Sequence, residues 1–128
     1  MTTLNKTFLI FGALSLMTTG MLSAYGFHGL AETLTEADRL SWRWAVQIQA
    51  YASIGLLLVT MLDLHIGPAK LLNIARSLFI LAIVVFSGTV YLEKLGLIPE
   101  AFGNIDPLGG SSFMLAWGLV AVTILLKK

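Results

Sequence analysis

Four long apolar runs, separated by short polar connections, decide what this chain can fold into. "FLIFGALSLMTTGMLSAYGF" occupies positions 8–27. A second run starts near Trp42 and passes through "VQIQAYASIGLLLVTML" to about His65. A third extends from about Leu71 to Leu92 through "SLFILAIVVFSGTVYL". The fourth, "FMLAWGLVAVTILL", covers 113–126 and is extended backwards by "PLGGSS". A bilayer core about 30 Å thick takes about 20 helical residues to cross. Each run reaches that length once its small-residue flanks are counted. The expected fold is therefore all-α: an integral membrane four-helix bundle forming one domain, 1–128, with spans at about 8–29, 42–64, 71–93 and 108–126.

Composition points the same way. The chain is 57% hydrophobic and 12% charged, whereas soluble domains are nearer half apolar and a quarter charged. A net charge of +1 gives no basic surface for nucleic acid. There is no cysteine, so disulfides and thiol catalysis drop out. A signal peptide is the alternative for the first run, but the run is too long and no small-x-small cleavage site closes it.

In the first connection, "AETLTEADRLS", Thr33 and Glu36 fit a capping box. They predict a short surface helix with Leu34, Ala37 and Leu40 on one side. Gly67-Pro68 breaks the second connection. The third, "EKLGLIPEAFGNIDPLGG", reads as a loop.

Charge sets the expected orientation. With four spans, the N-terminus, the middle connection and the C-terminus share one side. That side carries Lys6, Lys70, Arg76, Lys127 and Lys128 against Asp63. The other carries Arg39, Arg43 and Lys94 against Glu32, Glu36, Asp38, Glu93, Glu100 and Asp106. Basic residues mark the cytoplasmic side, so both termini are expected inside, most simply at a bacterial cytoplasmic (inner) membrane.

The polar residues of the spans supply the candidate site. Arg43, Gln47, Tyr51 and Gly55 recur every four residues and form one stripe on helix 2. Gln49 and Ser53 form a second on roughly the opposite side. Polar side chains in hydrocarbon face protein or a wet cavity. They serve interhelical hydrogen bonding, or line a polar pocket with Arg43 at its mouth. His28, Arg43, Glu93 and Asp106 are expected to converge at the outer end as an ion-pair network. Trp42, Trp44, Tyr25 and Tyr91 read as interface aromatics, and Trp117 as packing. Gly26, Gly29, Gly88, Gly109 and Gly110 are candidate helix-packing positions. Ser15, Thr19 and Ser23 form a small-residue face on helix 1, as Ser112 and Ala116 do on helix 4. No metal site, cofactor site or catalytic constellation is read. His28 and His65 fall at opposite membrane faces, and no serine stands in a nucleophile-elbow pattern.

Four blocks carry a family resemblance. "AYGFHGL" (24–30) resembles the "AFGAHGL" pattern of domain-of-unknown-function family 423, small membrane proteins related to transmembrane protein 256. "IQAY" is similar to that family's "YQMYH", "FSGTVYL" (86–92) to its "FSGSLYL", and "DPLGGSSFMLAW" (106–117) to its "TPIGGVLFIIGW". The blocks come in the family's order. Matching positions are Gly26, His28, Gly29, Gln49, Tyr51, Ser87, Gly88, Tyr91, Pro107, Gly109, Gly110 and Trp117. The resemblance implies four membrane helices and no defined activity. Ala52 stands where the family pattern has a histidine, which argues against a mechanism needing two histidines. Glu93 stands where the pattern continues apolar.

Three functions compete. The expected one is non-enzymatic: a structural or accessory subunit, embedded among membrane lipids, that joins a homo-oligomer or a larger membrane complex. The alternative is a transporter or channel-like binder of a small solute or lipid through the helix 2 pocket. An intramembrane enzyme using His28 ranks last.

Overall fold

The computed structural model describes residues 1–127, apart from the side chain of Asn104. Lys128, counted above among the inner-side charges, lies outside the described residues. Four long helices are present, each long and apolar enough to cross a membrane: α1 (Thr3–Gly29), α2 (Glu36–Ile66), α3 (Lys70–Lys94) and α4 (Asp106–Leu126). Among the described residues there is no strand.

Local chemistry fixes the ends. The Thr2 hydroxyl accepts from the Asn5 amide at 3.1 Å and caps α1. Thr35 does the same for α2, accepting from the Asp38 amide at 3.1 Å. The expected Thr33–Glu36 capping box is therefore corrected. Thr33 instead donates its hydroxyl back to the Leu30 carbonyl at 3.2 Å, and α2 starts at Glu36 and runs unbroken into the span. With no separate surface helix, Leu34 is buried beside Leu30 and Trp42, while Ala37 and Leu40 face outward. At the far end of α2, Gly67 takes φ 93°, a left-handed conformation in which a Cβ is strained. Its amide bonds the Asp63 carbonyl at 3.0 Å.

The third connection is also corrected. Its irregular part covers only 95–99, because Pro99 starts a 3-10 turn, Glu100–Ile105, that leads directly into α4. Two helices widen locally. Tyr25–Gly29 closes α1 as a π turn, and Ile83–Gly88 forms a π segment inside α3. Such bulges loosen the backbone ladder and frequently mark functional sites.

α2 lies at the centre, against α1 on one side and α3 on the other, and α3 carries α4. No comparable interface joins α1 to α4 among the described residues, so the four-helix bundle is open on one side. The main core joins Ala52, Leu56 and Val59 of α2 with Leu72, Ala75, Phe79 and Ile83 of α3. Ala116 and Val120 of α4 and Phe8 of α1 complete it. Between membrane helices such contact works through close packing and hydrogen bonds, since lipid is as apolar as leucine.

Of the expected packing glycines, two lie at real close approaches. A Cβ on Gly26 would sit 2.2 Å from the Trp42 indole nitrogen, and one on Gly109 would sit 2.6 Å from the Phe86 backbone nitrogen. Gly110 faces open space, Gly88 meets nothing closer than 3.8 Å, and Gly29 borders only Tyr25 of its own helix. Gly12, against Leu57, and Gly55, wedged between Phe79 and Trp117, are the close approaches the sequence reading missed.

Candidate functional site

The two stripes of α2 part company. Gln49 is 4% exposed and Ser53 fully buried, whereas Tyr51 is 50% exposed on the outside of the molecule. Gln49 joins three helices. Its amide nitrogen donates to the Ser15 carbonyl at 3.0 Å and the Thr18 hydroxyl at 2.9 Å, both on α1. Its amide oxygen accepts from the Tyr91 hydroxyl of α3 at 2.7 Å. The Ser53 hydroxyl lies 2.6 Å from that of Ser15, and Ser87 of α3 donates to the Ala45 carbonyl at 2.6 Å. Of the small-residue face expected on α1, Ser15 alone is buried; on α4, Ser112 and Ala116 both are.

A second polar centre, unread in the sequence, lies toward the opposite end of the helices. Arg76 of α3 is 1% exposed. One guanidinium nitrogen donates to Asn5 Oδ1 of α1 at 2.6 Å, and the other lies 3.5 Å from Asp63 Oδ1 of α2 and donates to Asn73. Asn5 closes the ring by donating to Asp63 Oδ2 at 3.3 Å. The guanidinium carbon sits 4.5 Å from the centre of the Phe8 ring, a cation–π geometry. Arg76 and Asp63, counted above among the charges of the inner side, are not free surface charges. They are a buried ion pair, and their place within the helical stretches flanking Gly67-Pro68 was the signal, since charges inside membrane helices pair with one another. A cavity of about 370 Å³ opens against this centre beside Thr2, Asn5, Asp63 and Gly67.

The expected convergence of four outer-end groups does not occur. Lys94 lies 3.0 Å from Asp38 and 3.7 Å from Glu93, and Asp106 is within electrostatic range of Glu93 and Lys94. His28 is exposed, with its ring edge-on to Phe27 at 5.0 Å. Arg43 points elsewhere, into a groove of about 530 Å³ between α1 and α2. Ser23, Gly26, Phe27, Arg39, Trp42, Arg43, Val46 and Gln47 line it. Trp42 is corrected from an interface aromatic to a buried one. It is 3% exposed, and its indole donates to the Leu22 carbonyl of α1 at 2.9 Å. Trp44 and Tyr25 are exposed, as interface aromatics are, and the Tyr91 ring packs against Trp42 at 4.8 Å, tilted by 54°. Trp117 lies 4.9 Å from Phe79. No group of three metal-ligating side chains occurs among the described residues.

Residues 22–110 match the family model described as "Protein of unknown function (DUF423)". This chain belongs to the DUF423 family. It is similar to UPF0382 membrane protein YwdK of Bacillus subtilis, with 32% identity over 117 residues, 91% of this chain and 94% of the relative. It is also similar to a UPF0382 membrane protein of Staphylococcus epidermidis, with 35% identity over 123 residues, 95% and 97% of the two chains. No solved structure matches. The DUF423 match takes in the groove, the Trp42–Leu22 bond and both members of the Asp63–Arg76 pair. The α1 partners Asn5, Ser15 and Thr18 precede it.

Proposed function

We propose that this DUF423 member is a non-enzymatic membrane module, a single membrane-embedded unit acting as a structural or accessory subunit in a homo-oligomer or a larger membrane complex. The observation that carries this reading is how the buried polar side chains are used. Gln49, Ser53, Asn5 and Arg76 each bond another helix of the same chain, and of the Arg76–Asp63 pair only Arg76 Nε and Asp63 Oδ1 keep no hydrogen-bond partner among the described residues. A scaffold needs that arrangement, whereas a catalyst needs groups left free for a substrate. α1 and α4 meanwhile hold outward rows that include Ile10, Leu14, Met17 and Met21, and Met114, Leu115, Val122 and Leu125.

The orientation belongs to the same proposal. Without the buried Asp63–Arg76 pair, the sequence still gives the side bearing both termini Lys6, Lys70, Lys127 and Lys128 against Arg39, Arg43 and Lys94 on the other, a bias of one basic residue in favour of cytoplasmic termini in a bacterial inner membrane. Purification from the native membrane in mild detergent tests the function, with the mass of the particle and of co-purifying species as the readout. A defined oligomer or hetero-complex is expected. A bare monomer, together with no crosslinked partner in intact membranes, overturns the proposal.

A second reading has its own observation. The α1–α2 groove, with Arg43 and Gln47 among its walls, supports a binder of a small solute or lipid.

A further inference from the structure

The groove joins two features that seldom meet by accident of packing. Its apolar lining is Gly26 of α1 with Trp42 and Val46 of α2, and the exposed ring of Phe27 stands at its edge. Its rim is cationic, formed by Arg39 and Arg43. The two arginines stand four residues apart on α2, about 6 Å along the axis. Neither has an acidic partner among the described residues, because Asp38, the carboxylate nearest in sequence to Arg39, is held by Lys94. Arg39 also stands at the end of the first turn of α2, where the helix dipole disfavours a cation. Two unneutralised guanidiniums thus sit at the charged end of a membrane helix, above a wall suited to an acyl chain.

We infer that this groove is a binding site for an anionic phospholipid, with its phosphate held between Arg39 and Arg43 and its first acyl carbons against Phe27, Trp42 and Val46. Guanidinium matches a phosphodiester in geometry as well as charge, through paired N–H donors. The arginine stems run over the apolar wall while their heads stay at the water boundary, as long basic side chains do at membrane interfaces. Gln47 adds one neutral polar group on the same wall. Gly26 keeps the site open, because any side chain there would displace the indole that forms its floor. The inference rests on the second reading above and adds to it the class of ligand.

The test uses the intact purified protein in mild detergent, titrated with phosphatidylglycerol or phosphatidylcholine and read by native mass spectrometry. The wild type is expected to retain phosphatidylglycerol preferentially. Each arginine near an anionic lipid headgroup contributes about a fivefold factor. The Arg39→Gln/Arg43→Gln double variant is therefore expected to lose on the order of 25-fold in phosphatidylglycerol retention, with phosphatidylcholine unchanged. Ser23→Trp, which fills the groove from an exposed position, is expected to abolish retention of both. Equal retention of the two lipids, or a double variant that holds phosphatidylglycerol as the wild type does, overturns the inference. If Ser23→Trp still removes bound lipid in that case, the groove reading survives without its anionic ligand. If Ser23→Trp changes nothing, both fail. Displacement of phosphatidylglycerol by millimolar inorganic phosphate would make the ligand a free anion and also overturn the lipid assignment.

Discussion

Arg76 touches all three of α1, α2 and its own helix α3, through Asn5, Asp63 and Asn73. Removing one member of a buried ion pair leaves the other uncompensated and costs about 3–5 kcal/mol. Arg76→Met is therefore expected to lower the melting temperature in detergent sharply. The Asp63→Leu/Arg76→Met double variant should recover most of the loss, since apolar replacement of both partners is often neutral; a double variant as unstable as the single one would refute this account. Gln49→Leu should cost about 1–2 kcal/mol, because interhelical hydrogen bonds in membranes average about 0.6 kcal/mol and Gln49 binds both α1 and α3. Tyr51→Phe, on the exposed stripe, should leave the melting temperature unchanged. The sequence could place Gln49 and Tyr51 on opposite sides of α2 but not say which side met protein. That choice belongs to Ser15, Thr18 and Tyr91, on helices whose rotation about their own axes no local pattern fixes.

Neighbouring glycines in α4 separate packing from propensity. Gly109 lies against the Phe86 backbone, and Gly110 faces open space. Gly109→Ala must push α4 away from the π segment of α3 and is expected to lower the melting temperature. Gly110→Ala should hold or raise it, since alanine in a helix interior is favoured over glycine by about 1 kcal/mol. Equal effects from the two would show that the close approach of α3 and α4 contributes nothing. The helices themselves were legible, because the length and apolarity of each run require it to be a span. Their widened turns were not. Tyr25–Gly29 and Ile83–Gly88 hold glycines, aromatics and β-branched residues, weak helix formers whose pattern does not tell an α-turn from a π turn, and each segment lies beside a hydrogen bond across an interface. At the first, the Leu22 carbonyl is taken by the Trp42 indole. At the second, Ser87 reaches the Ala45 carbonyl.

At the scale of the molecule, four apolar helices make this DUF423 protein a membrane protein, and the sequence foretold that architecture from hydropathy alone. The order of the helices was not read from the sequence: α2 and α3 take the central places and leave α1 and α4 as flanks. The absence of cysteine makes topology directly measurable. Single cysteines at Glu32 and Leu97 should react with a membrane-impermeant maleimide added to intact spheroplasts, and one at Lys70 should react only after lysis. The reverse pattern would place both termini outside.

The buried pair also bears on how the chain enters the bilayer. Asp63 and Arg76 lie on either side of the turn at Gly67-Pro68, so one helical hairpin carries both the acid and the base. Inserted together, α2 and α3 cross as a unit whose charges cancel. A nascent chain halted before Arg76 would instead hold a lone carboxylate at the edge of the lipid. The order of assembly expected from this pairing is that the central hairpin commits to the membrane as a unit and α1 is fastened afterwards, when Asn5 bridges a completed acid–base couple.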